Sequence, residues 1–260
     1  MKRVAKREFA IEIMSSKLKS RRKENRLRVT AIACGLALCL FARAAGAQEP
    51  PRHFLHAGVL APGQTAATKL MRGGPIPGYF QPVEVTGPKG AMVSFVGEGQ
   101  FLSPTAMPAK SAMLIGPVYR MRITNIPLHE GEEVYPTIEV VDRLYPPVGE
   151  ELKFPIPIEL TQEDLELALA GKFITRVVYL EDPRAAYARK EDPKRQYTVE
   201  VSQREDPLVT ADSMGRPMAI VRIGGRTPVD AGNPGADFLY NCPPLLRIET
   251  AKNAPRSLAR

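Results

Sequence analysis

Tryptophan is absent from this chain, cysteine and histidine occur three times each, and aromatic residues make up only 7% of the 260 positions. Each shortage removes a class of function. Few and dispersed rings leave little from which to build an aromatic-walled ligand pocket. Three histidines, two of them only three residues apart as His53 and His56, offer one short metal-like spacing, yet no third ligand type clusters beside them and the surrounding prolines oppose a helix there. No G-x-S-x-G elbow occurs, so the serine-nucleophile reading has no sequence anchor. His129, in Pro127-Leu-His-Glu-Gly-Glu-Glu133, is left as the one candidate general base, with Glu130 or Glu132 to orient it.

What the chain does have is an address. A basic segment running to Arg28 is followed by an apolar and small run over residues 29–42 and then by Ala45-Gly46-Ala47, the order of a secretory signal peptide. A cut before Gln48 is expected. The apolar run of 14 residues is short of the ~20 that span a bilayer, so cleavage is favoured over a retained anchor, the one route by which this chain would hold to a membrane. Arg21-Arg22 lacks the apolar residues that a twin-arginine signal wants next, and Cys34 and Cys39 lack the context of a lipid attachment site; ordinary unfolded export is the expectation. Met14 is an alternative start.

The address also carries the charge. The whole chain has a formal net charge of +8, but residues 1–47 hold twelve Lys and Arg against three Glu, which leaves 24 basic and 25 acidic residues beyond them. The apparent basicity vanishes, and with it the case for nucleic acid, because the densest remaining basic run, Arg184 to Arg195, is interrupted by Glu191 and Asp192. Removal of the leader leaves Cys242 alone. An exported chain without an internal disulfide must be held by its own core.

All 25 prolines lie beyond the expected cut, which disfavours long helices. Residues 48–80, with Pro50-Pro51, Ala61-Pro62-Gly63 and Gly73-Gly74-Pro75-Ile76-Pro77-Gly78, read as a Pro/Gly-rich linker, and residues 228–260 as a loosely ordered tail. Between them, residues 81–227 are dominated by period two. Tyr119, Met121 and Ile123 alternate with Arg120, Arg122 and Thr124; Val134, Ile138 and Val140 alternate with Tyr135, Thr137 and Glu139, with Pro136 marking an edge or a strand start. Phe154, Ile156 and Ile158 alternate with Pro155 and Pro157, which suits an edge, while residues 173–180 and 218–223 are apolar enough for central strands. With residues 83–85 and 92–96, about seven short strands are expected, the count of a single antiparallel β-sandwich, immunoglobulin-like or related.

Two short helices are predicted among the strands. Thr161 and Asp164 make a capping box before Leu165, Leu167 and Leu169, with Gly171 as a left-handed stop; Asp206-Pro207 starts a second helix that ends at Gly215. The acidic tripeptide Glu-Asp-Pro recurs at residues 181–183, 191–193 and 205–207, where carboxylates could serve calcium but Asp before Pro is also plain turn chemistry.

The run from Phe154 to Pro183, preceded by Gly116-Pro-Val-Tyr-Arg-Met-Arg-Ile-Thr-Asn-Ile-Pro127, resembles uncharacterised exported proteins of planctomycete-type bacteria over about residues 110–227. The resemblance implies an envelope or secreted location and carries no activity, ligand or catalytic residue. The expectation is therefore an exported, non-catalytic β-sandwich module, with no cofactor and no assigned site residue, that contacts another envelope protein or a surface polymer. A carbohydrate- or calcium-binding module is the first alternative, and a hydrolase built on His129 the second.

Overall fold

The computed structural model describes residues 61–184, 186, 196–202 and 205–248. The leader, the histidines at 53 and 56 and the tripeptide at 191–193 lie outside the described residues. In the described part strand predominates over helix. The strands are β1 (Phe80–Thr86), β2 (Met92–Ser94), β3 (Val96–Gly97), β4 (Gln100–Phe101), β5 (Thr105–Ala106), β6 (Ala109–Leu114), β7 (Val118–Arg120), β8 (Arg122–Thr124), β9 (Thr137–Val140), β10 (Ile156–Glu159), β11 (Ile174–Glu181), β12 (Gly215–Ile223) and β13 (Leu245–Ile248). Three eight-residue helices accompany them: α1 (Gln64–Met71), α2 (Gln162–Leu169) and α3 (Pro207–Met214). No helix among the described residues is long and apolar enough to cross a membrane.

Two four-stranded sheets share one core. The first has the order β10-β1-β6-β13, the second β11-β12-β9-β7. Val83, Val85, Ile156 and Ile158 of the first and Ile138, Val140, Val221 and Ile223 of the second belong to the same buried cluster, to which Leu165 and Ala168 of α2 add. Smaller ladders, β5-β2-β8 and β3-β4, complete the fold. All pairings are antiparallel but one: β10 runs parallel to β1, Val83 opposite Ile156 and Val85 opposite Ile158. The expected all-antiparallel arrangement is thus modified, because the chain returns from β9 through a long connection and enters the edge beside β1 in the same direction.

The period-two reading places its inward residues well. Tyr119, Met121 and Ile123 are all buried, although the segment is two strands: β7 pairs with β9, β8 with β2, and Met121 at the junction donates its N–H to the Pro136 carbonyl. Strand β9 starts directly after Pro136, and β10, flanked and interrupted by prolines, takes an edge. Residues 218–223 are central as expected. Residues 173–180 are not: β11 is half-buried along most of its length and is the last strand of its sheet among the described residues.

The two boundaries differ from the sequence reading in the same way. Residues 64–71, inside the stretch read as linker, form α1, which lies on the outer face of the second sheet. There Ala66 of α1 and Leu208 of α3 pack with Val141 and Ile220, so a face that alternation assigns to solvent is covered. Thr137 and Glu139, expected outside, are buried beneath it. Strand β13, inside the stretch read as tail, pairs with β6, Leu246 opposite Ala112. Both segments draw their stability from partners far away in sequence, which local composition does not register.

Helices α2 and α3 start as their caps require. In α2, Thr161 Oγ1 accepts from the Asp164 N–H and Asp164 Oδ2 from the Thr161 N–H, each at 3.1 Å. In α3, Asp206 Oδ1 accepts from the Leu208 N–H at 2.9 Å, and Pro207 needs no partner in the first turn. Their ends differ. Gly171 has φ of 79°, the left-handed stop that was expected, with open space around it. Gly215 does not: its φ is 173°, extended backbone, and glycine is required because a β-carbon would sit 2.1 Å from the Leu180 carbonyl oxygen.

The two glycines therefore fail differently when given a β-carbon. Gly171→Ala is expected to cost about 1–2 kcal/mol from the left-handed conformation alone. Gly215→Ala meets backbone that cannot yield without opening the β11–β12 ladder, and its loss in chemical denaturation should exceed that of Gly171→Ala. Equal midpoints for the two variants would overturn this assignment.

Candidate functional site

The described part holds four buried acidic side chains, Glu139, Asp142 and Asp164 between elements and Asp212 on α3. A buried carboxylate must be matched on its lone pairs or lose several kcal/mol. Glu139 stands on the outer face of β9, beneath the start of α1. Its Oε1 accepts from the Ala66 N–H at 3.0 Å and its Oε2 from the Gly63 N–H at 2.9 Å, while Arg222 Nη1 of the neighbouring β12 donates to Oε2 at 2.9 Å. Helix α1 has Gly63 at its N-cap and no capping side chain of its own. The strand supplies one instead.

Asp142 continues the arrangement past the end of β9. Lys69 of α1 forms a close ion pair with Asp142 Oδ2, Arg216 Nη1 of β12 lies 3.3 Å from the same oxygen, and Oδ1 accepts from the Arg143 N–H at 2.7 Å. Every oxygen of these two carboxylates is engaged by α1, by β12 or by the local backbone. Asp164 is likewise shared between two structural tasks. Besides closing the α2 capping box, it receives a bidentate pair from Arg176 of β11, Nε to Oδ2 at 2.8 Å and Nη2 to Oδ1 at 2.7 Å.

Arg176 lines a concavity, a groove of about 920 Å³ along β11. One wall is β11 with the start of α2, another is the extended segment 196–202, and α3 contributes Thr210 and Met214. Large apolar side chains stand exposed in it: Leu167 at 39%, Phe173 at 71% and Tyr197 at 54%. Among the described residues its ionisable lining is Glu159, Glu163, Asp164, Glu181, Glu200 and Glu205 with the cation Arg176, which Asp164 holds.

The sequence candidates fall elsewhere. His129 Nδ1 lies 2.9 Å from Glu132 Oε2, so the expected orienter is present, and Nε2 is 4.0 Å from Glu166 Oε1 of α2. The three form a surface cluster outside the groove lining, and Glu130 points into solvent. Asp182 accepts from the Arg184 N–H at 2.9 Å as a turn residue, and Asp206 is the α3 cap. No group of three or more His, Cys, Asp or Glu among the described residues is placed to hold a metal ion. Cys242 is a free, half-buried thiol in a turn whose residues Tyr240, Asn241 and Cys242 have φ of 53°, 58° and 47°.

That turn is anchored by residues sequence reasoning did not single out. Arg120 donates from Nε to the Phe238 carbonyl at 2.6 Å and from Nη1 to the Tyr135 carbonyl at 3.0 Å, and its guanidinium lies 4.1 Å from the centre of the Phe238 ring. Tyr119 donates its hydroxyl hydrogen to the Pro244 carbonyl and accepts from the Leu114 N–H, both at 2.8 Å. Burial pushes the Tyr119 hydroxyl up to about 12, against the lowering effect of the Leu114 N–H, and burial followed by the nearby Glu133 carboxylate pushes Tyr135 up to about 12 as well. The alternation Tyr-Arg-Met-Arg was the only sequence trace of this site. It assigned Arg120 to solvent, because the covering turn comes from a segment more than a hundred residues later.

Comparison with protein-family models, with curated proteins and with solved structures finds no match to this chain.

Two outcomes follow from these buried groups. Glu139→Ala strands the Arg222 charge and removes the α1 cap, and is expected to cost about 3–5 kcal/mol in chemical denaturation, with early proteolysis around α1; Glu139→Leu combined with Arg222→Met should recover most of the loss. For Tyr119 the native hydroxyl keeps its proton to about 12 while the unfolded one releases it near 10.0. Its contribution is complete below pH 10 and is lost as pH rises towards 12. Tyr119→Phe should therefore show a shallower fall in melting temperature than the native protein across that window, and parallel curves would refute the assignment.

Proposed function

We propose that this chain is an exported, non-catalytic β-sandwich module that makes structural or protein–protein contacts at the cell envelope. The leader pattern of residues 1–47 and the resemblance of about residues 110–227 to uncharacterised exported proteins motivate the location. The observation that carries the contact reading is the groove along β11: an eight-residue strand, the last of its sheet among the described residues, opens onto about 920 Å³ of space in which apolar side chains remain exposed. A cleft of that size is at the upper end of ordinary ligand sites. The buried carboxylate in its lining, Asp164, is committed to a capping box and an ion pair, which supports a contact surface over a reaction centre.

Carbohydrate binding is the second reading, favoured by one observation. Phe173, Tyr179 and Tyr197 share the groove with several carboxylates and threonines, a lining that also suits sugar rings and hydroxyls. Incubation of the purified protein with isolated envelopes, before and after protease treatment of those envelopes, separates the two. Retention that disappears after protease treatment is the expected result. Retention that survives it would replace a protein partner by a surface polymer, and no retention on either material would overturn both readings.

A further inference from the structure

We propose that the loop entering β10 docks the domain on a phospholipid surface, with Val148 among the acyl chains and Arg143 at the phosphates. This is a route to a membrane separate from the leader, and it does not rest on the contact reading, since none of the loop's residues lines the β11 groove. The connection from β9 to β10 occupies residues 141–155. Over residues 145–154 it exposes four large apolar side chains: Tyr145 at 65%, Val148 at 98%, Leu152 and Phe154. Exposed apolar residues gathered in one place mark a contact site, whereas scattered ones need no account.

The loop has a preset shape. The Glu150 N–H donates to the Pro147 carbonyl at 3.0 Å and Gly149 takes φ of 84°, so Val148 stands at the corner of a tight turn. Pro146 and Pro147 restrict the backbone on one side of that corner, and on the other the Gly149 N–H donates to Glu151 Oε1 at 3.2 Å. A single 3-10 turn, Glu151–Lys153, follows. At the base, the Leu144 N–H donates to Gln81 Oε1 of β1 at 2.8 Å. Little ordering is left for docking to impose.

Towards the sheets the residue types change in sequence. The Arg143 guanidinium lies 4.1 Å from the centre of the Tyr79 ring and 4.5 Å from that of Tyr145, and the Arg216 guanidinium lies 5.5 Å from the Tyr145 ring. Asp142 is engaged by Lys69 and Arg216, and Glu150 by Lys153 at 2.8 Å. Arg143 is held between two rings, and its Nε meets the Leu144 carbonyl at 3.5 Å. An apolar tip, then tyrosine, then a guanidinium is the depth order of a membrane interface, where acyl chains, headgroup region and phosphates succeed one another. The planar guanidinium fork suits a phosphate. A pocket in a protein would take the apolar tip without this layering. Few apolar side chains on one loop hold weakly, so the contact orients the domain on a surface and leaves retention on envelopes to protein contact.

The chain has no tryptophan, so Val148→Trp supplies a single reporter in the full-length protein. With vesicles of phosphatidylcholine and phosphatidylglycerol its emission should shift to shorter wavelength and be quenched by lipids brominated on their acyl chains. Leu128→Trp, on another exposed loop of the same leader-bearing chain, should show neither. Leu152→Asp added to Val148→Trp should lower lipid affinity about tenfold or more, the loss expected when one apolar side chain no longer leaves water. Arg143→Gln added to Val148→Trp should weaken binding to these vesicles and not to vesicles of a phosphate-free galactolipid. An equal response from Leu128→Trp would overturn the site, and an equal effect of Arg143→Gln on both lipids would overturn the phosphate assignment. Absence of any shift would remove the lipid proposal. If Val148→Asp then also lost protease-sensitive retention on envelopes, the loop would belong to the protein contact; with that retention intact, the contact reading would stand unaltered.

Discussion

Glu139 has no solvent-exposed surface, and a carboxylate in that position must find in the protein the hydrogen bonds that water would supply. Three donors do so: two N–H groups at the start of α1 and the guanidinium of Arg222. The exchange is mutual. Helix α1 is eight residues long, begins at a glycine and has no capping side chain, so by itself it is far below the length at which a helix persists in water. The strand's carboxylate completes the helix, the helix shields the carboxylate, and the Lys69–Asp142–Arg216 cluster continues the seam along the same face. With α1 in place, Ala66 and Leu208 close over Val141 and Ile220, and the second sheet becomes covered on both sides.

The second sheet, covered on both faces, ends among the described residues in two unequal strands, the three-residue β7 and the eight-residue β11, which borders the groove. The same Asp164 that closes the α2 capping box also holds Arg176 in the lining of that groove, so one residue serves helix initiation and fixes a strand cation.

Local grammar was legible wherever its cause was local. The Thr161–Asp164 box, the Asp206-Pro207 start and the left-handed Gly171 depend on neighbours within a few residues, and all three are as the residues dictate. Gly215 shows the limit. A glycine after a helix invites the left-handed reading, yet this one is extended and exists because the Leu180 carbonyl approaches from the adjacent strand. The pair His129 and Glu132 was visible as a spacing and does meet, but on a surface loop, whereas the groove is assembled from β10, α2, β11, the 196–202 segment and α3 and has no signature in any one of them.

The sequence by itself determined the β-rich class, the inward set of apolar residues, the proline-blunted edge at β10 and the starts of α2 and α3, because alternation, proline chemistry and capping act over one to four residues. Only the tertiary structure decided that residues 64–71 are a helix, that Leu245–Ile248 is a strand, that Thr137, Glu139 and Arg120 are buried, and that β11 is the last strand of its sheet among the described residues. Each of those outcomes rests on a donor, an acceptor or a covering surface brought from a distant part of the chain: Glu139 for α1, β6 for β13, Phe238 for Arg120. A short segment with a weak preference of its own takes the conformation its partner completes, and the partner is known only once the chain has folded.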